Sequence, residues 1–547
     1  MAYPYADGTP GEPSLRGVLG LVPDLVSRDP AEVAVTLRDR HGHVVRIPGL
    51  HPAIDADVYL VTHPDDVQRI LQTEPNHFGA LDVPGAHDFG KVVENSIVSL
   101  GLDEEDQRWT QRTRMLSPEF TERAMDPHVP AMVEETLASL AEFTNPHADP
   151  GAAASSARVH RSDGTVSLLP AMRRLSLRLL GSSLFGADTR AHETQVIGAV
   201  DTLRAAFKRR QVNVVTGRLT RHLPEELHLP SFLGDRVGDP YIRVSGRGDR
   251  QVYEALDALV DAADGIAGRR ESTPRAFDDG LSTWLVRPDP VTGETLSPET
   301  LRQEILGLLI AGHATTSAAL TWAFYLLASR PAMQERIHEE ARATDLLASL
   351  ERVREDGADT AAGEFAAEAG RAFLDSLPYT RQVWQETLRL YPALPIFGRT
   401  TNREVELGGV ALPEGAHVLV SPYVTHRDPE FWPEPERFDP DRFERETRAE
   451  GASPDERAAQ PRAGESDRPA FAYYPFSGGR HACLGREVAT AEALVILATT
   501  LATHRVEFVG SEMGPHPDPA DYAPEVGVDS AINLQPDRDV TVRLVSR

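Results

Sequence analysis

Cys483 is the sole cysteine in 547 residues, and it sits in Phe476-Ser-Gly-Gly-Arg-His-Ala-Cys483-Leu-Gly485. One thiol excludes an intrachain disulfide and any zinc site built from several thiolates. An isolated cysteine ordinarily packs as a small hydrophobe. This one lies among Gly478, Gly479 and Gly485, between an aromatic and a basic pair, where an apolar core packs poorly. Glycine lets backbone approach a large flat object closely. Backbone N–H groups near the sulfur stabilise a thiolate, and Arg480 and His481 can meet anionic groups. A flat, anionic, thiolate-seeking partner describes haem held by one axial cysteine. Two other chemistries fit the same residues. One makes Cys483 a nucleophile with His481 as base, although residues i and i+2 rarely reach one substrate atom. The other is a structural cysteine in a glycine turn.

Further residues could do chemistry. Ala311-Gly312-His313-Ala314-Thr315-Thr316 interrupts a long apolar run. Glycine inside a helix costs about 1 kcal/mol against alanine, so Gly312 calls for a reason. Close approach of a cofactor or O₂ is one, and close helix–helix packing is the other. Glu386-Thr-Leu-Arg389 sets a carboxylate and a guanidinium on one helical face. Trp109 can donate its indole N–H and is followed by Arg112 and Arg114. Arg204, Lys208, Arg209, Arg210, Arg218 and Arg221 form a basic cluster, read as a solvated helix face or a dock for an acidic substrate head group.

The elements that must position these groups are mostly helical. Ile305 to Ser329 holds no Asp, Glu, Lys or Arg and is long enough to span a bilayer. Its centre is too polar for hydrocarbon, so a buried helix is expected and no transmembrane segment. Leu377 to Tyr391 reads as a helix stopped by Pro392. Leu484 to His504 is a helix whose N-terminal dipole favours a thiolate at Cys483. Short strands are expected at 43–47, 58–61, 405–412, 418–424 and 541–546. Segments 143–164, 341–372 and 444–467 read as insertions, the second part-helical.

The hydrophobic fraction is 41%, ample for a large core, and the net charge is −27 with a sequence pI near 5.1. Such a chain repels nucleic acid and anionic membrane. Only Lys91 and Lys208 are lysines, which suits either a salt-rich cytoplasm or a high-GC genome. Residues 1–14 are polar, carry no leader signature, and read as a flexible N-terminus. With one cysteine, this points to a cytoplasmic protein.

The Cys483 segment fits Phe-x-x-Gly-x-(Arg/His)-x-Cys-x-Gly, which resembles the haem-binding loop of the cytochrome P-450 family. The 311–316 stretch resembles that family's oxygen-binding helix, and Glu386, Arg389 and Arg442 resemble its Glu-x-x-Arg network, with Arg437 as a rival third member. The resemblance implies a mostly α fold with a smaller β-rich lobe, one domain over 15–547, and haem b between the central helix and the cysteine loop. Cys483 would be the iron ligand. Phe476, Gly478, Gly479, Arg480, His481 and Gly485 would shape the cofactor site, with Trp109, Arg114, Arg399 and His481 at its propionates. Ala311, Gly312, Thr315 and Thr316 would form the oxygen side.

The implied activity is O₂-dependent monooxygenation of a lipophilic small molecule. Electrons would come from NAD(P)H through a separate ferredoxin- or flavodoxin-type donor, with Arg480 and Arg486 as docking candidates. Substrate walls would include 83–99, Ala311, 393–397 and 526–531. One departure stands out: the family's usual acid before the threonine is Ala314 here. The family's nitric-oxide reductases also carry alanine at this point. A reductive or H₂O₂-driven reaction therefore stays open, as does a non-catalytic haem or ligand carrier.

Overall fold

A computed structural model describes residues 28–47, 58–80, 96–98, 107–145, 159, 165–185, 189–221, 247–272, 280–343, 364–444, 468–508, 526–530 and 532–547. The expected flexible N-terminus falls outside these, as do 83–95 and 99 of the first substrate wall, Ala531, and most of the three insertions. Of the second insertion, Glu364–Asp375 is helical, as its composition suggested.

The architecture is predominantly helical around one long central helix, Pro298–Ala328. Local chemistry sets its ends. Ser297 caps it by accepting the Thr300 N–H at 3.1 Å, and Pro298 occupies the first turn, where no N–H is needed. Pro331 then opens the following helix. This is the chain's one described helix apolar and long enough to cross a membrane, and 78% of its most apolar window is buried inside the fold.

The central helix packs against Leu168–Leu184, and both belong to one continuous apolar core with the Arg486–Thr503 helix. Trp322 anchors its far half, stacked on Tyr391 with ring centroids 3.9 Å apart.

The β-rich lobe is a five-stranded sheet. Val44–Ile47 pairs antiparallel with Val58–Val61, which runs parallel to His417–Val420. His417–Val420 pairs antiparallel with Phe397–Thr401, which in turn meets Phe78–Ala80. Arg399 thereby sits opposite Val418 and Ala80, in an inner strand. A second sheet joins His504–Phe508, Thr541–Ser546 and Val166–Ser167. A short hairpin, Val528–Asp529 with Gln535–Pro536, reaches back towards the central helix.

Candidate active site

Two stretches stand out in this core because they keep accessible surface. From Glu304 to Leu327 every residue is buried except Ala311, Gly312, Ala314 and Thr315. From Pro475 to Glu487 none is fully buried. Phe476 and Leu484 nonetheless pack against the core that holds the central helix.

The loop is built tightly. The Cys483 N–H closes it onto the Phe476 carbonyl at 2.9 Å. Gly479 adopts φ +66°, and a Cβ there would fall on the Leu71 carbonyl. A Cβ at Gly478 would meet the Phe471 ring at 2.5 Å. Protein contacts thus already require these two glycines, whatever lies on the other side of the loop. Gly485 lies beside the sulfur, and its N–H and Arg486 both favour the thiolate. Cys483 has accessible surface, yet enough protein surrounds its sulfur that burial, the largest cause, pushes the thiol up. Both observations suit a thiol in the wall of a concave site.

A basic corner adjoins the loop. The Trp109 and His481 rings are 4.4 Å apart, Arg480 lies 5.3 Å over the indole, and Arg480 donates to Thr110 Oγ1 at 3.1 Å. Burial pushes Arg399 down to about 10. Burial first, then Arg399 and Arg480, push His481 down to about 4. His481 Nδ1 is buried without a hydrogen-bond partner. Among the described residues no carboxylate pairs with Arg399, Arg480 or His481. Two guanidiniums and an orphaned imidazole nitrogen, beside a lone thiol, fit a flat dianionic ligand whose carboxylates end here.

Arg114 does not join this corner. Its guanidinium donates to both oxygens of Asp289 at 3.1 and 2.8 Å, and it leaves the propionate set. Arg112, two residues earlier on the helix, turns instead to Glu304 at 3.2 Å.

On the central helix, neighbouring residues diverge. Thr315 Oγ1 donates to the Ala311 carbonyl at 2.8 Å, on the accessible side. Thr316 is buried and its hydroxyl is taken by Gly312 at 3.1 Å, which removes it from the oxygen side. Gly312 faces Leu180, where a Cβ would come within 2.9 Å. Helix packing gives this glycine one reason, and Gly312 also keeps accessible surface on the side of Ala311 and Thr315. His313 is fully buried on the Leu309 carbonyl at 2.5 Å, and burial pushes it down to about 4.

The scaffold network closes, the Glu386–Arg389 pair as its spacing suggested and Arg442 as the family resemblance implied. Glu386 accepts from Arg389 at 2.7 and 2.9 Å and from Arg442 at 3.1 Å. Arg437 contributes only its carbonyl, while its side chain pairs with Glu434.

Several contacts carry no signal in the sequence. Glu304 is fully buried and accepts the Ile97 N–H at 2.9 Å; burial pushes it up to about 7, opposed by that amide and Arg112. Ser96 seats on Gly307. An acid at the edge of an apolar run was the one available hint. Arg204 and Lys208 both pair with Asp529, at 2.9 and 2.8 Å; Arg204 is largely buried in doing so, whereas Lys208 stays 55% exposed, as a solvated face would have it. The other members of that cluster have side chains outside the described residues.

A mostly helical fold with a lone thiol beside a carboxylate-free basic corner defines a haem-thiolate protein. The chain belongs to the cytochrome P450 family, whose model matches residues 10–522. It is 29% identical over 500 residues to cyclooctatin synthase of Streptomyces melanosporofaciens, covering 90% of this chain and 89% of that one. It is 28% identical over 470 residues to cyclooctat-9-en-7-ol 5-monooxygenase of the same organism, covering 85% and 83%. A third relative is the bifunctional cytochrome P450/NADPH–P450 reductase 2 of Bacillus subtilis, 29% identical over 397 residues, or 72% of this chain and 31% of that protein. The chain is therefore a haem-dependent monooxygenase that uses O₂ and a redox partner, with a cysteine thiolate as iron ligand. Cys483 is its only candidate for that ligand.

Proposed function

We propose that the enzyme inserts one oxygen atom into a lipophilic small molecule, of the largely hydrocarbon alcohol type named for the relative that acts on cyclooctat-9-en-7-ol. The observation that carries this reading is that Ala311, Gly312, Ala314 and Thr315 keep accessible surface on an otherwise buried helix, as the Cys483 loop does on the same core. When bound, haem supplies reductive activation of O₂, with electron density pushed from the thiolate.

The remaining steps belong to the chain. His481, Arg399, Arg480 and the Trp109 indole would hold the cofactor's carboxylates. The Gly485 N–H and Arg486 favour the Cys483 thiolate against the burial that pushes the thiol up, and the thiolate forms when it ligates the iron. Thr315 donates its hydroxyl proton to the Ala311 carbonyl, on the accessible side of the helix, and would be the hydroxyl that passes a proton on. His313 is turned away and neutral, so it is no relay. Ala311, Ala314 and the half-buried Val526 and Ile532 offer an apolar wall that excludes water. Electrons would come from NAD(P)H through a separate carrier, and the cytoplasmic setting suggested by the single cysteine belongs to the same proposal.

The CO-difference spectrum of the dithionite-reduced protein, beside Cys483→Ala, tests the reading. A strongly red-shifted Soret band, lost in the variant, is expected. A band of His-ligated haem, or none, would overturn it. A second reading draws on Ala314, which removes the usual acid: a reductive reaction, revealed by direct oxidation of NAD(P)H with nitric oxide.

A further inference from the structure

The carbonyl of Ala314 is claimed from outside its own helix. Asn533 lies on the short hairpin beside Gln535, is buried, and donates through Nδ2 to that carbonyl at 2.9 Å. Ser317 Oγ donates to the same oxygen at 3.1 Å. A helical carbonyl that takes side-chain donors is drawn off the axis, and such back-bonding bends helices. Along this turn Thr315 claims Ala311 O, Thr316 claims Gly312 O, and Ser317 shares Ala314 O. All three are donors from within the helix. Asn533 is the one described side chain from elsewhere in the fold that acts on these carbonyls.

The hairpin can hold its position. Leu534 is clamped on both sides, its N–H donating to Ala393 O at 2.9 Å and its carbonyl accepting Trp322 Nε1 at 3.1 Å. A fixed carboxamide therefore pulls on the helix at the residue that replaces the family's acid, one position before Thr315.

We propose that Asn533 is a positioning residue for the oxygenation step. Its carboxamide sets the Ala311–Thr315 turn, and hence the Thr315 hydroxyl, from the substrate wall. The inference rests on the monooxygenase reading for its catalytic meaning, but the pull on the helix stands without it. Without Asn533 the turn relaxes and proton delivery loses its geometry. O₂, two electrons and two protons then leave as hydrogen peroxide, in place of one oxygen atom in product and one in water.

Three variants separate donor from shape. Asn533→Leu removes all polarity, Asn533→Asp keeps the outline without a donor at neutral pH, and Asn533→Gln keeps a donor on a longer arm. The ratio of product to peroxide should fall about tenfold in the first two, the equivalent of one net hydrogen bond, and recover in Asn533→Gln. Substrate KM should change little. Wild-type ratios in both Asn533→Leu and Asn533→Asp would overturn the proposal.

Hydrogen exchange of the peptide spanning 311–318, read by mass spectrometry, needs no turnover. It should quicken about tenfold in Asn533→Asp, again the worth of one hydrogen bond. Unchanged exchange would sink the assignment even where the CO spectrum upholds the enzyme. Quickened exchange beside a failed CO spectrum would uphold the helix contact and condemn only the oxygenase reading.

Discussion

Arg389 and Arg399 lie ten residues apart, on a helix and the strand that follows, the first fully buried and the second half-buried with its guanidinium largely desolvated. Arg389 is 0% exposed and fully answered: two bonds to Glu386 and three to the carbonyls of His426, Pro435 and Arg437. Arg399 donates only to the Gly398 carbonyl, leans on the Phe397 ring, and is pushed down to about 10 by burial. A buried charge with every donor satisfied is scaffold. A buried charge left short of partners is held ready for something the polypeptide does not supply. The first position tolerates no loss of its partner, whereas the second costs the fold something until its ligand arrives.

That contrast can be broken at several points. Glu386→Ala strands two guanidiniums and should cost about 3–5 kcal/mol, losing fold and haem together. Denaturant melts with haem quantification check it, and a folded, haem-replete variant would deny the scaffold role. Glu304 is an intermediate case, an acid only half answered by Arg112 and the Ile97 amide. Its pKa is raised to about 7 from an ordinary 4.5, so the native state keeps a proton that the unfolded chain has released. Stability from this group is thus present at low pH and is lost as pH rises from about 4.5 to about 7. The loss is up to about 3 kcal/mol and is flat above that window. Urea melts of wild type and Glu304→Gln across that window should show wild type losing stability relative to the variant as pH rises, the other shifted groups being common to both.

Arg399→Leu sharpens the comparison by reversing sign. The haem-free protein should melt no lower than wild type, while haem binds about tenfold more weakly, a difference of about 1.4 kcal/mol in the opposite sense. Thermal scans of apo and reconstituted protein distinguish the two. Arg114→Ala, at the small end, should leave haem content and the Soret spectrum unchanged, because that guanidinium serves Asp289.

The chemistry of Cys483 was legible because glycines, an aromatic and a basic pair are a costly way to surround a structural thiol. The Glu386–Arg389 pair was legible because i and i+3 share a helical face, and Arg442 followed from its Pro-x-x-Phe-like setting. What failed was direction. Arg112 and Arg114 lie two residues apart and so point to different sides of the helix, and only the placement of Glu304 and Asp289 assigns them. Thr315 and Thr316 part in the same way. Gly312 looked like room for a ligand and is also room for Leu180, a contact the sequence could not announce because a missing side chain reads alike in both cases. Asn533 and Ala314 meet across a sequence separation of 219, with no local pattern to announce it.

The same long separations bear on how the chain is made. Trp322 must wait 212 residues for the carbonyl of Leu534 that its indole engages. At about 5–20 residues per second, a ribosome takes roughly 10 to 40 s to cover that distance. Throughout that interval an apolar helix of membrane-spanning length can pack on Leu168–Leu184 but lacks the C-terminal partners that complete its burial, Arg486–Thr503 and the Leu534 segment. Newly made chains should therefore depend on holding chaperones, and slow supply of the C-terminal segments should divert them to aggregates before any cofactor can bind.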